Sequence, residues 1–131
     1  MRTVARITFI VTLVLGLTAC YRIIAIPDIA TATVYGPNVP IRALRPQQVA
    51  QLSSWIKTHD AGWRDLMETP PVPITMRIIM RPPNTQQVYF DLFASKSGTA
   101  TMYFYAPSPA PPLKRYLSAA DVASLWEAVR N

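Results

Sequence analysis

The chain has 131 residues and a formal charge of +6, from 13 Lys/Arg against seven Asp/Glu, with half its residues apolar and a single cysteine and a single histidine. That length suits one domain with its own core and leaves no room for a second. One cysteine excludes a disulfide framework within the chain, one histidine leaves no Cys/His metal cluster, and four glycines do not supply a phosphate-cradling loop.

At the N-terminus, Arg2 and Arg6 precede an apolar run from Ile7 to Leu17, and small residues follow it. This is the pattern of an export signal, with residues 1–19 as the removed segment. The run ends in Leu17-Thr18-Ala19-Cys20, which resembles the lipobox of bacterial lipoproteins. The resemblance implies cleavage by signal peptidase II between Ala19 and Cys20, and acylation of Cys20, which becomes a stable anchor in the lipid bilayer because several acyl chains are buried together. Tyr21 stands where, in enteric bacteria, an aspartate marks retention in the inner membrane. The resemblance therefore favours the outer membrane, on its periplasmic side, over the inner membrane. Ile7 to Ile26 is also about one membrane span long and can be read as an uncleaved helix; Arg22 and Pro27 favour processing.

Without residues 1–19 the chain keeps 11 basic and seven acidic residues, a net charge of +4. The basic residues are scattered, and only Lys114 and Arg115 are adjacent. An exported chain of this balance meets anionic lipid, lipopolysaccharide and peptidoglycan, so no nucleic acid is expected as partner. Thirteen prolines, about twice ordinary usage, fall in clusters at Pro70 to Pro73, Pro82-Pro83 and Pro107 to Pro112, where they punctuate elements.

Residues 20–29 read as the lipidated N-terminus and a short tether, though Ile23, Ile24 and Ile26 are unusually apolar for a spacer and suggest packing on the domain or closeness to the bilayer. A single domain over 30–131 follows. Thr31 to Tyr35 is β-branched and ends at Gly36-Pro37, which predicts a strand and a turn. From Pro46 to Asp60, the apolar residues Val49, Leu52, Trp55 and Ile56 form one stripe of an amphipathic helix, with Pro46 suited to its first turn and Arg45 a poor cap. Three segments then alternate with period two: Ile74 to Arg81, Val88 to Phe93 and Thr101 to Tyr105, joined by turn-like residues at Pro82 to Thr85 and Lys96 to Gly98. Finally Ser118 and Asp121 are spaced as a capping box, and Val122, Leu125, Trp126 and Val129 repeat as a helix stripe. The predicted fold is α+β in the order β-α-β-β-β-α, a small antiparallel sheet with two helices on one face.

The residues offer little chemistry. His59 and Asp60 are adjacent and so point apart on a helix; a histidine there more often serves the helix C-terminus. No serine sits in a nucleophile pattern. Asp60, Asp65 or Glu68 beside Trp63 could serve a peptidoglycan-binding or glycan-hydrolysing protein, although carboxylate separation is not legible from sequence. No catalytic residue, metal or small-molecule cofactor is expected. The stronger candidates are the residues of the second sheet face, Arg77, Arg81, Tyr89, Asp91, Phe93, Tyr103 and Tyr105, together with Trp63. Tyrosine and arginine recur where surfaces bind, because each joins a large contact area to a polar tip. Cross-strand pairing that merely stabilises a half-exposed sheet accounts for the same residues.

The helix with Trp55, followed by His59, Gly62 and Trp63, also resembles a pattern in small uncharacterised lipoproteins of proteobacteria, a likeness that implies no activity. The expectation is a membrane-anchored, non-enzymatic interaction module with an envelope protein as partner, either of immunity type or a subunit of an envelope complex.

Overall fold

Alternation of apolar and polar residues places the three segments between Met76 and Tyr105 at the centre of one antiparallel sheet. The structure, a computed structural model, describes residues 21–26 and 28–130. The expected signal peptide and the lipidation of Cys20 lie outside the described residues. In chain order the elements are β1 (Thr31–Gly36), β2 (Val39–Ala43), α1 (Pro46–Thr58), β3 (Arg64–Asp65), β4 (Met76–Arg81), β5 (Val88–Ala94), β6 (Ala100–Tyr105), β7 (Leu113–Leu117) and α2 (Ala119–Val129). Seven strands make one sheet in the order β2-β1-β4-β5-β6-β7-β3, and every neighbouring pair is antiparallel.

The α+β class holds, but the order is β-β-α-β-β-β-β-β-α, since β2, β3 and β7 extend the sheet beyond the four expected strands. Each of the three hides its pattern. β2 contains Pro40 and buries no residue fully, as an edge strand permits. β7 places Lys114, Arg115 and Tyr116 between its inward leucines, and β3 has two residues, recognisable only by their pairing with β7.

Both helices lie against one face. Val49, Leu52, Trp55 and Ile56 of α1 and Val122, Leu125, Ala128 and Val129 of α2 share a buried cluster with Val34, Met76, Ile78, Met80, Phe90, Leu92 and Met102 of the sheet. Burying each such side chain contributes about 1.5–3 kcal/mol. Among the described residues no helix is long and apolar enough to cross a membrane.

Polar contacts join the helices. The start of α1 lacks a capping hydroxyl, and the Gln48 side-chain Oε1 instead accepts from the Arg45 backbone amide at 2.9 Å. Gln48 is buried, and its amide nitrogen donates at 2.7 Å to Arg130, just past the end of α2. At the start of α2 the capping box is reciprocal: the Asp121 amide donates to Ser118 at 3.1 Å, and the Ser118 amide donates to the Asp121 carboxylate at 3.0 Å. In the β5–β6 turn, Gly98 has φ +87°, the left-handed conformation that glycine adopts without steric cost.

Residues 21–26 are not a free spacer. The Arg22 amide donates to the Trp63 carbonyl at 2.5 Å, the Trp63 amide returns the bond at 3.2 Å, and the Ile24 amide donates to Asp60 at 2.8 Å. The segment thus continues the sheet past β3, with Ile24 buried.

Candidate functional site

The helices cover one face of the sheet, and register alone dictates what the other presents. Tyr35 lies opposite Arg77, Arg77 opposite Asp91, Asp91 opposite Tyr103, Tyr103 opposite Lys114 and Lys114 opposite Arg64. One polar and aromatic row therefore crosses six strands. A second row runs from Ile79 through Tyr89 to Tyr105. Phe93 and Thr101 begin a third that ends at Tyr116.

Arg77 and Asp91 form the centre. The guanidinium donates to both carboxylate oxygens, at 2.5 and 2.6 Å, and Asp91 is only 3% exposed. Paired hydrogen bonds of this kind fix orientation as well as charge. The bonds to Asp91 raise the Arg77 pKa above its ordinary value, against the pull of partial burial. The guanidinium carbon lies 4.6 Å from the Tyr89 ring centre, within cation–π range, and the Tyr35 hydroxyl is 3.5 Å from a third nitrogen. Tyr89 in turn stacks on Tyr105 with centres 4.6 Å apart and an interplanar angle of 18°. Phe93 meets Tyr103 edge-on at 5.2 Å.

The eight expected contact residues separate by exposure. Arg77, Tyr89, Phe93 and Tyr105 are half-buried and Arg81 is exposed at the end of β4. These five offer surface. Asp91 and Tyr103, each 3% exposed, are the floor beneath them. Burial raises the hydroxyl pKa of Tyr103 and of Tyr105, with nearby carboxylates adding to it. The rings thus stay neutral hydrogen-bonding groups at ordinary pH.

Trp63 does not belong to this face. The expected contact residue is a core residue instead: the indole is fully buried, stacks on Phe90 at 5.7 Å, meets Phe104 edge-on at 6.0 Å and donates to the His59 carbonyl at 2.9 Å. A tryptophan so enclosed offers a sugar or a protein nothing to touch. Of the carboxylates once placed beside it, Asp65 accepts from Arg22 at 3.1 Å and Glu68 accepts from Lys114. The bond from Lys114 lowers the Glu68 pKa, and the same bond raises that of Lys114.

His59 also finds a partner other than its chain neighbour. Its Nε2 lies 3.1 Å from the Asp121 carboxylate on α2 and its Nδ1 2.7 Å from the Trp55 carbonyl, while the ring stacks on Trp55 at 3.9 Å. Both ring nitrogens face acceptors, so both contacts become hydrogen bonds when the ring carries two N–H groups. Burial tends to raise the Asp121 pKa, yet hydrogen bonds from His59 and Ser118 outweigh it and hold the pKa below its ordinary value. The arrangement ties the end of α1 to the start of α2.

Sequence reasoning missed Tyr35, Arg64, Lys114 and Tyr116 on the second face, and did not place Glu68 beside it as the partner of Lys114. Tyr35 was accessible from the alternation in β1, where Ala32 and Val34 point inward. The others depend on β3 and β7, whose pairing has no local signature. No protein-family model, no curated protein and no solved structure matches this chain.

Proposed function

We propose that this chain is a lipoprotein of the bacterial envelope, acylated at Cys20, that works without catalysis by holding an envelope protein against the second face of its sheet. The observation that carries this reading is the Arg77–Tyr89–Tyr105 platform, left uncovered by both helices among the described residues and flanked by Phe93 and Arg81. Its rings and guanidinium are already ordered by Asp91 and by one another. Association then freezes few rotamers, which is where much of the cost of binding lies. Aromatic and arginine side chains held in this way make the strongest contacts in protein interfaces.

The test is photo-crosslinking in intact cells from Phe93, replaced by a photoreactive phenylalanine analogue, with mass spectrometry of the adducts. One discrete envelope protein should be captured, and Tyr89→Ala with Tyr105→Ala should abolish the adduct. These two are chosen because their rings stand on the surface, whereas truncating Tyr103 or unpairing Asp91 would disturb the fold. An adduct of undiminished yield in the double variant would remove the platform from the proposal.

A further inference from the structure

We infer that the outer edge of the sheet, carrying Tyr21, Ile23, Arg64 and Tyr116, is seated on the headgroup layer of an anionic phospholipid membrane. The inference rests on the anchoring of Cys20 proposed above. It adds an orientation: the domain is docked on the bilayer rather than suspended from it.

The first argument is chain length. Tyr21 follows Cys20 directly, and the main chain is already bound to the domain at Arg22 and Ile24. One residue spans at most about 3.6 Å. An acyl group on Cys20 therefore leaves little slack between the lipid and the sheet edge, so the edge that holds residues 21–24 is kept within reach of the headgroups, and its side chains decide whether it docks on them.

The second argument is what this edge presents. The Arg64 guanidinium lies 6.0 Å from the Tyr21 ring centre and 5.0 Å from that of Tyr116, and the Lys114 ammonium is 5.7 Å from Tyr116. Ile23 is 75% exposed, and Tyr21, Tyr116 and Met67 are exposed as well. Large apolar groups left in water beside rings with polar tips suit the boundary between headgroups and acyl chains. Lys114 and Arg22 have carboxylate partners in Glu68 and Asp65, whereas Arg64 has no ion-pair partner among the described residues. An arginine held between two tyrosines and lacking a carboxylate is complementary to lipid phosphate.

The docked edge also sets where the Arg77–Tyr89–Tyr105 platform stands. Tyr89 on β5 is separated from residues 21–24 by β6, β7 and β3. At a strand spacing of about 4.8 Å that is about 20 Å along the sheet, clear of the headgroups.

The experiment uses the full chain, processed in cells, extracted and reconstituted in phosphatidylcholine vesicles with or without phosphatidylglycerol. Met67→Cys, 87% exposed in the loop after β3, and Ile41→Cys, 75% exposed on β2 at the opposite sheet edge, each carry a fluorophore. An acylated Cys20 is a thioether and does not label. Headgroup spin-labelled lipid should quench the position-67 probe several-fold more than the position-41 probe, and more strongly with phosphatidylglycerol. Arg64→Gln should lower the ratio of docked to undocked domain about fivefold, the effect of one cation at an anionic surface, with urea unfolding showing an intact fold.

Equal quenching of both probes on protein that floats with the vesicles overturns the docked orientation and leaves the anchor standing. Failure to float overturns the anchor, and the docking with it. Self-quenching of the position-67 probe that grows with protein-to-lipid ratio, without lipid quenching, gives the edge to a second copy of the chain and also overturns the proposal.

Discussion

Replacing Arg77 by methionine tests the centre of the sheet face most directly. The substitution keeps the aliphatic stem and removes the guanidinium, so the Asp91 carboxylate, with 5% of its side chain exposed, loses both short bonds while remaining buried beside its cross-strand partner Tyr103. Removing one partner of a buried ion pair costs about 3–5 kcal/mol, chiefly because the remaining charge is desolvated without compensation. The Arg77 side chain is 31% exposed, so water can enter where the guanidinium leaves, and the lower end, about 3 kcal/mol, is expected. With a urea m value of about 1.5 kcal/mol/M for a domain of this size, the midpoint should fall by about 2 M. Tryptophan fluorescence follows the transition through Trp63, which is stacked in the core on Phe90. The reasoning requires a second result. Arg77→Met combined with Asp91→Leu should return to within about 1 kcal/mol of the wild type, because apolar groups of similar volume replace buried ion pairs at little cost. If the single variant loses less than about 1 kcal/mol, or the double variant is no more stable than the single, then desolvation of Asp91 is not what Arg77 offsets.

Three further outcomes are expected. Trp63→Ala should destabilise the fold by about 3–5 kcal/mol, measured by the same denaturation, since an enclosed indole leaves a cavity; a near-neutral result would return Trp63 to the surface. Tyr89→Ala with Tyr105→Ala should cost about 2–3 kcal/mol, the stacking of the pair plus the half-buried area of two rings, leaving a folded domain in urea unfolding while abolishing the Phe93 crosslink. The third concerns acid. The Asp121 pKa is lowered in the folded chain from an ordinary 3.8, so the unfolded chain binds the proton more readily. The stabilisation is present above about pH 4 and is lost as pH falls through the lower folded value. Asp121→Asn should therefore flatten the acid limb of stability against pH below about pH 4, and an unchanged limb in that variant would show that the carboxylate is not responsible.

Much of the sheet face was legible because period-two patterning is local. Once β4, β5 and β6 are read as strands, Arg77, Tyr89, Asp91, Phe93, Tyr103 and Tyr105 must share the side away from Met76, Phe90 and Met102. What alternation cannot give is exposure. Asp91 and Tyr103 stand on that side yet are buried, because large neighbours reach over from adjacent positions: the Arg77 guanidinium pairs with Asp91, and Phe93 meets Tyr103 edge-on. Trp63 misleads in the opposite direction. It follows Gly62, which has φ +82°, and sequence leaves open both a contact residue in a surface loop and a cap on the core; the backbone pairing with Arg22 accompanies the second, with the indole in the core.

The amino-acid sequence by itself determined the α+β class, both helices, the capping box of α2 and the sidedness of the central strands, because each depends on residues a few positions apart. Tertiary structure decided the seven-stranded sheet, the pairing of His59 with Asp121 across the two helices, and the incorporation of residues 21–24 as its outer edge. The last two join residues 36 to 62 positions apart, from Ile24 with Asp60 to His59 with Asp121, so no short stretch of sequence encodes them. They form only where burial of one shared core brings the chain ends and helix termini within hydrogen-bonding distance.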